Sequence, residues 1–203
     1  MVAIIDYGMG NIHSVQKALE VLGASTVVTD RVKDIEQAKK LVLPGVGAFD
    51  DALRQLKKQK LAAAIKAQLD NKKPFLGICL GMQLLFNESQ EAQGCKGLGI
   101  LNGRVRKFPD ISGLKVPHMG WNELEIKNKN CPLLKGLDDK TYVYFCHSYY
   151  PEPSASAVTA ATCLYGTEFS SVVWQDNVYG VQFHPEKSQE AGLKMLKNFI
   201  QLC

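Results

Sequence analysis

Three stretches within the first eighty residues stay apolar at strand length, residues 2–5 up to Asp6, 41–43 and 75–78. A strand wetted on one face alternates apolar with polar residues, whereas an unbroken apolar strand has both faces covered. Helical spacing lies between them. Ile12, Val15, Leu19 and Leu22 recur at three- and four-residue intervals up to Gly23, a helix stop. The Ala- and Lys-rich residues 50–69 supply further helix, and residues 80–86 again have helix-forming composition. With residues 26–28 as an additional strand, this alternation predicts an open, mostly parallel α/β sheet with helices on both faces.

After about Gln90 the texture changes to glycines and short β-type segments at 101–108, 121–126, 141–146, 157–164, 170–174 and 178–181. These predict additional antiparallel strands in the second half. Ser188 is placed to cap a final helix that shows Leu193, Leu196, Ile200 and Cys203 on one face. No linker or internal repeat interrupts the 203 residues, so one domain over 1–203 is expected.

Composition removes several function classes. Hydrophobic residues make up 46% and charged residues 22%, which suits a folded chain and argues against disorder. The net charge of +4 comes from scattered lysines, including Lys33, Lys39, Lys40, Lys57, Lys58 and Lys60, without interleaved aromatics. That reads as solvated helix surface, so no nucleic-acid partner is expected. No apolar run approaches a membrane span, and the first residues lack the basic start of a signal peptide. A cytoplasmic protein with no membrane association is expected. Six widely spaced cysteines with no C-x-x-C favour free thiols over a disulfide framework or zinc.

One of those cysteines has a distinctive setting. Gly77-Ile78-Cys79-Leu80-Gly81 is a G-x-C-x-G between a buried strand and a helix, the pattern of a nucleophile elbow with sulfur for oxygen. The tight turn lifts the nucleophile above the sheet, a helix start favours thiolate, and the Leu80 N–H is positioned to donate to an oxyanion. Taken alone, the segment also describes a buried cysteine between packing glycines. A thiolate needs a base, and His184 ends an apolar strand, followed by Pro185 and Glu186. Residues two apart in extended backbone point the same way, so Glu186 is placed to orient the imidazole; a plain His-Pro turn is the other reading. Pro44-Gly45-Val46-Gly47 lies at another strand end, where its backbone N–H groups can approach a reacting carbonyl.

Residues 74–83 (Pro-Phe-Leu-Gly-Ile-Cys-Leu-Gly-Met-Gln) together with 181–186 (Val-Gln-Phe-His-Pro-Glu) resemble the class I, triad-type glutamine amidotransferase family. Within it, residues 6–11, 43–49, 116–122 and 147–150 are similar to the glutaminase subunits of imidazole glycerol phosphate synthases, and the likeness covers almost the whole chain. The resemblance implies a flavodoxin-like fold in which Cys79 attacks the glutamine amide, His184 shuttles the proton and Glu186 orients His184. It implies that Gln83, Ser148 and Tyr149 hold glutamine and that Gly45, Val46 and Gly47 form an oxyanion strand that reorients before its N–H points inward. Cys146 is expected to be a small core residue without a role. No cofactor and no metal are implied.

The resemblance further implies a heterodimer with a (β/α)8-barrel cyclase. That partner would use the ammonia to make imidazole glycerol phosphate and an aminoimidazole carboxamide ribotide in histidine biosynthesis, joining a hydrolase to a lyase step. Asn11, His118, Met119, Trp121 and Lys187 are placed at or near the shared face, with a core position as the other reading of Trp121. Two competing functions are an ammonia-donor paralogue serving surface-sugar amidation and a non-catalytic module of the same fold. Joint retention of Cys79, His184 and Glu186 argues against the second.

Overall fold

A computed structural model describes all 203 residues. The first half runs β1 (Val2–Ile5), α1 (Ile12–Val21), β2 (Thr26–Thr29), α2 (Val32–Gln37), β3 (Lys40–Gly45), α3 (Phe49–Lys58), α4 (Leu61–Asp70), β4 (Phe75–Cys79) and α5 (Leu80–Gln83). The second half runs β5 (Glu88–Ser89), β6 (Gly103–Lys107), β7 (His118–Glu123), β8 (Glu125–Ile126), β9 (Tyr142–His147), β10 (Tyr149–Pro153), β11 (Thr159–Tyr165), β12 (Thr167–Gln175), β13 (Val178–Val181) and α6 (Gln189–Leu202).

The main sheet has the order β2-β1-β3-β4-β13-β12-β11-β8. Its first five strands are parallel, and β12, β11 and β8 continue it antiparallel. The expected division between the halves of the chain is therefore present, with one exception. The last strand, β13, returns to lie parallel beside β4, with Val181 opposite Ile78. Both faces of the central strands are buried. Val2, Ile4, Val42, Leu76 and Ile78 pack on one side, and Ala3, Ile5, Leu41, Leu43 and Phe75 on the other. This strict alternation between two cores explains why the runs read as continuously apolar.

Several expected elements are redrawn. The helix over 50–69 is two helices, because Lys60 takes a left-handed conformation (φ 61°) between α3 and α4. The helix expected over 80–86 ends at Gln83, and the strand expected over 121–126 starts earlier and breaks at Leu124. Ser188 precedes α6 but makes no side-chain cap. Its hydroxyl donates to the His184 carbonyl (2.7 Å) and accepts the Tyr144 N–H (3.0 Å). The buried face of α6 centres on Met195, Leu196 and Phe199, with Leu193, Ile200 and Cys203 at its margins. None of the six cysteines is disulfide-bonded, and no helix is long and apolar enough to cross a membrane.

In an open α/β sheet, ligands bind beyond the carboxyl ends of the strands near a topological switch point. Here β1 sends its successors to either side, β2 one way and β3 the other. The carboxyl ends of β3, β4 and β13 lie side by side next to that switch, carrying Gly45, Cys79 and, three residues beyond Val181, His184.

Candidate active site

Cys79 ends β4 and starts α5 with φ 55° and ψ −113°, a conformation that costs a non-glycine residue energy and recurs at nucleophile elbows. The turn is tight because α5 crosses directly over β3. A Cβ on Gly81 would overlap the Leu43 carbonyl, so only glycine fits. Gly81→Ala is expected to cost about 3 kcal/mol or more, read as a lower denaturant midpoint or loss of soluble protein. With α5 only four residues long, its macrodipole is slight. The stronger partner of the sulfur is an imidazole.

That imidazole belongs to His184, whose Nδ1 lies 2.9 Å from Glu186 Oε1. Burial of the ring opposes its charge, but the neighbouring Cys79 sulfur and the Glu186 carboxylate outweigh it and raise the pKa to about 10. His184 is therefore held as the imidazolium near neutral pH. Glu186 reaches His184 from a 3-10 turn over Pro185–Lys187, not from the extended backbone expected from sequence, because Pro185 ends the strand. Asn11 adds a second donor to Glu186 Oε1 at 3.3 Å. Backbone bonds fix the turn against β9, since the His184 N–H donates to the Tyr144 carbonyl at 2.9 Å.

A cleft of about 370 Å³ opens over the sulfur. Of the sequence-predicted residues it gathers Cys79, His184, Leu80, Gln83, Val46, Gly47, Ser148, Tyr149, Asn11 and Lys187. Gly45 lies just beneath, buried and opposite Cys79 in the β3–β4 register. Gly47 holds φ +92°, which an L side chain adopts only under strain. Gln83 is pinned behind the cleft, donating to the Tyr149 carbonyl (2.8 Å) and to Gln182 Oε1 (3.0 Å).

Four lining residues went unassigned at the sequence level: Glu91, Pro117, Cys146 and His147. Cys146 is a correction, since it faces the cleft with its carbonyl 3.9 Å from Cys79 Sγ and is not a core residue. Glu91 accepts the Phe49 N–H at the start of α3 (3.1 Å), and partial burial raises the pKa of its carboxyl. Gln182, fully buried, donates toward Cys79 Sγ at 3.7 Å.

The residues expected on a partner face divide. Met119 (62% exposed) and Trp121 (46% exposed) stand on the surface, and Lys187 is exposed with its ammonium 5.8 Å from the Tyr144 ring. The core reading of Trp121 is thereby set aside. His118 is the correction: it is 3% exposed and stacked between Phe145 and Tyr165. Strand alternation turns it to the face opposite Met119 and Trp121.

Burial lowers the pKa of His118 to about 4 and that of His147 to about 3, so both rings are neutral near pH 7. In the unfolded chain each takes a proton near pH 6.5. Their stabilising contribution is thus complete above pH 6.5 and is lost as pH falls toward 4 and then 3. Each ring adds a slope of about 1.4 kcal/mol per pH unit within that window. Denaturant midpoints of wild type and His118→Phe at about pH 7 and about pH 5 check this, with the variant expected to lose less on acidification.

The profile of the family described as glutamine amidotransferase class-I matches residues 3–202. The chain belongs to this family. Among relatives of this glutamine amidotransferase, the imidazole glycerol phosphate synthase subunit HisH of Syntrophotalea carbinolica is 52% identical over 98% of both chains. The HisH subunit of Gloeothece citriformis is 50% identical over 98% of this chain and 95% of that one. Among solved structures, PurLQS from Thermotoga maritima superposes with a TM-score of 0.74 at 22% identity, covering 98% and 96% of the two chains. The glutaminase domain of Trypanosoma brucei CTPS, solved with acivicin bound, gives 0.69 at 17% identity over 97% and 91%. At such identities the structural likeness shows the class-I amidotransferase fold alone.

Proposed function

We propose that this chain is the glutaminase subunit of an imidazole glycerol phosphate synthase, a single amidotransferase domain over residues 1–203. It hydrolyses glutamine to glutamate and ammonia and passes the ammonia to a cyclase. The observation that carries the reading is the convergence of Cys79 and His184, the latter held by Glu186 at 2.9 Å, on one cleft of the right size for one amino acid. Full-length relatives named HisH favour this assignment over a sugar-amidation paralogue.

The Cys79 thiolate attacks the side-chain carboxamide carbon, and the N–H groups of Leu80 and the Gly45–Val46–Gly47 segment receive the oxyanion. His184 then gives its proton to the departing nitrogen, leaving ammonia and a γ-glutamyl thioester on Cys79. A water deprotonated by His184 attacks that thioester, and the C–S bond breaks to release glutamate and regenerate the thiolate. Gln83, Ser148 and Tyr149 hold the substrate, with the Glu91 carboxylate suited to its ammonium group. No metal or cofactor enters any step. The chemistry of this chain is hydrolysis alone, so the lyase step expected beside it belongs to the partner.

Ammonia released near neutral pH is protonated and lost to solvent, so its producer is useful only when docked on its consumer. Exposed Met119, Trp121 and Lys187, with Asn11 at the cleft, support the edge formed by β7 and the His184 turn as the docking face for a (β/α)8-barrel cyclase in a cytoplasmic heterodimer. The test is glutamate release by the chain alone, with the cyclase, and with the cyclase and its nucleotide substrate. Stimulation at each addition is expected. Full activity of the lone chain, unchanged by either addition, would leave an independent glutaminase instead.

A further inference from the structure

A line of hydrogen-bonded groups centred on two buried histidines joins β7 to the glutamine cleft, and the mechanism above gives its outer half no role. Its outer end is Asn122. The Asn122 amide is oriented by two bonds, its Oδ1 accepting the Glu123 N–H (2.8 Å) and its Nδ2 donating to the Leu164 carbonyl (3.0 Å). The same Nδ2 donates to His118 Nε2 at 3.2 Å. A neutral imidazole has one donor and one acceptor, so His118, accepting at Nε2, carries its proton on Nδ1. That proton points to His147 Nε2, 3.1 Å away in the directly opposed cross-strand position. His147 is then protonated on Nδ1 and donates to the Tyr149 carbonyl at 2.8 Å.

The inner half closes on the nucleophile. The Tyr149 carbonyl also accepts from Gln83, Gln83 donates to Gln182, and Gln182 donates toward Cys79 Sγ. Donor and acceptor are thus assigned at every link. Packing alone does not call for these imidazoles. His118 lies flat against Tyr165 (3.9 Å between centroids) and Phe145 (4.6 Å), contacts a phenyl ring would also make. What histidine adds is the pair of nitrogens.

We infer that His118 and His147 are positioning residues for glutamine hydrolysis. His147 holds the Tyr149 carbonyl, and through it Gln83, in the glutamine-binding arrangement, while His118 makes that hold depend on the placement of β7. The inference rests on the reading above in one respect: β7 is the strand a docked cyclase touches, through Met119 and Trp121. A protein bound there would press on a strand whose inward residues reach the substrate segment by two hydrogen bonds.

The test uses the complex with the cyclase, with glutamate release as readout and partner affinity and melting temperature measured alongside. His147→Phe is expected to raise the glutamine KM about tenfold, the usual effect of one lost buried hydrogen bond. His147→Asn, which keeps a donor near the place of Nδ1, is expected to restore most of it. His118→Phe, and the milder surface variant Asn122→Ala, are expected to bind the cyclase as wild type does while losing at least half of its stimulation. Melting temperatures that fall with KM, kcat and stimulation all unchanged would reduce the pair to packing and overturn the inference. A wild-type complex showing no stimulation would overturn the docking reading and the His118 claim with it, whereas an unchanged KM in His147→Phe would overturn the positioning claim for both histidines and leave the docking reading standing.

Discussion

Cys79→Ala is expected to lower glutamine hydrolysis by about a million-fold, the scale seen when a triad nucleophile is deleted. In the proposed mechanism both halves of the reaction pass through a bond to this sulfur, so no other group in the cleft is expected to take its place. Cys146, the nearest other cysteine, offers Cys79 its carbonyl and not its thiol. The substitution is conservative for the fold. Alanine meets the same strain at φ 55° and removes only one atom from a residue that is 6% exposed, so a melting temperature within a few degrees of wild type is expected. Ammonium salts should restore cyclase product in the complex, because only the source of ammonia has been removed. Wild-type glutamate release from Cys79→Ala would refute the nucleophile assignment, and failure of ammonium rescue would place the lesion in assembly instead. Cys79→Ser is expected to be nearly as inactive, since a hydroxyl beside the same imidazole is a far weaker nucleophile than a thiolate.

Much of this site was legible because its parts sit where strands end. β1, β3, β4 and β13 are covered on both faces, which writes them as apolar runs, and the residues that follow each run are the ones that line or back the cleft. Elements lacking a periodic signature were missed. Helix α2 has six residues with only Ile35 buried, too few for a 3.6-residue period to show. Strand β10 contains Pro151 and Pro153, which argue against a strand; it is an edge that pairs only with β6. Glu91 comes from a loop, where no local pattern announces a side chain turned toward a distant turn. His118 is different, because its signal was present. Its place in β7 sets His118, Gly120 and Asn122 against Met119, Trp121 and Glu123, an alternation that the polar residues on both sides of the indole obscure.

Removal of the base should be far more damaging than removal of the group that orients it. His184→Ala is expected to approach the loss seen for Cys79→Ala, whereas Glu186→Gln is expected to retain about a hundredfold more activity. In the proposed mechanism His184 acts twice in a turnover, as proton donor to the leaving ammonia and as base toward the hydrolytic water, and its positive charge also favours the thiolate nucleophile. Without it the sulfur loses its charge partner and both proton transfers. Glu186 touches neither sulfur nor substrate; it contributes charge and a fixed Nδ1–H direction from 2.9 Å. A glutamine there still presents an oxygen to Nδ1 if its amide is suitably turned, and Asn11, donating to the same position, favours that orientation. The Glu186 contribution raises the His184 pKa, so Glu186→Gln should also lower the pH at which His184 loses its proton, from about 10. Single-turnover rates of thioester formation across pH read both effects. A Glu186→Gln enzyme as inactive as His184→Ala, with an unshifted profile in its residual rate, would mean that the carboxylate has a direct role in the chemistry.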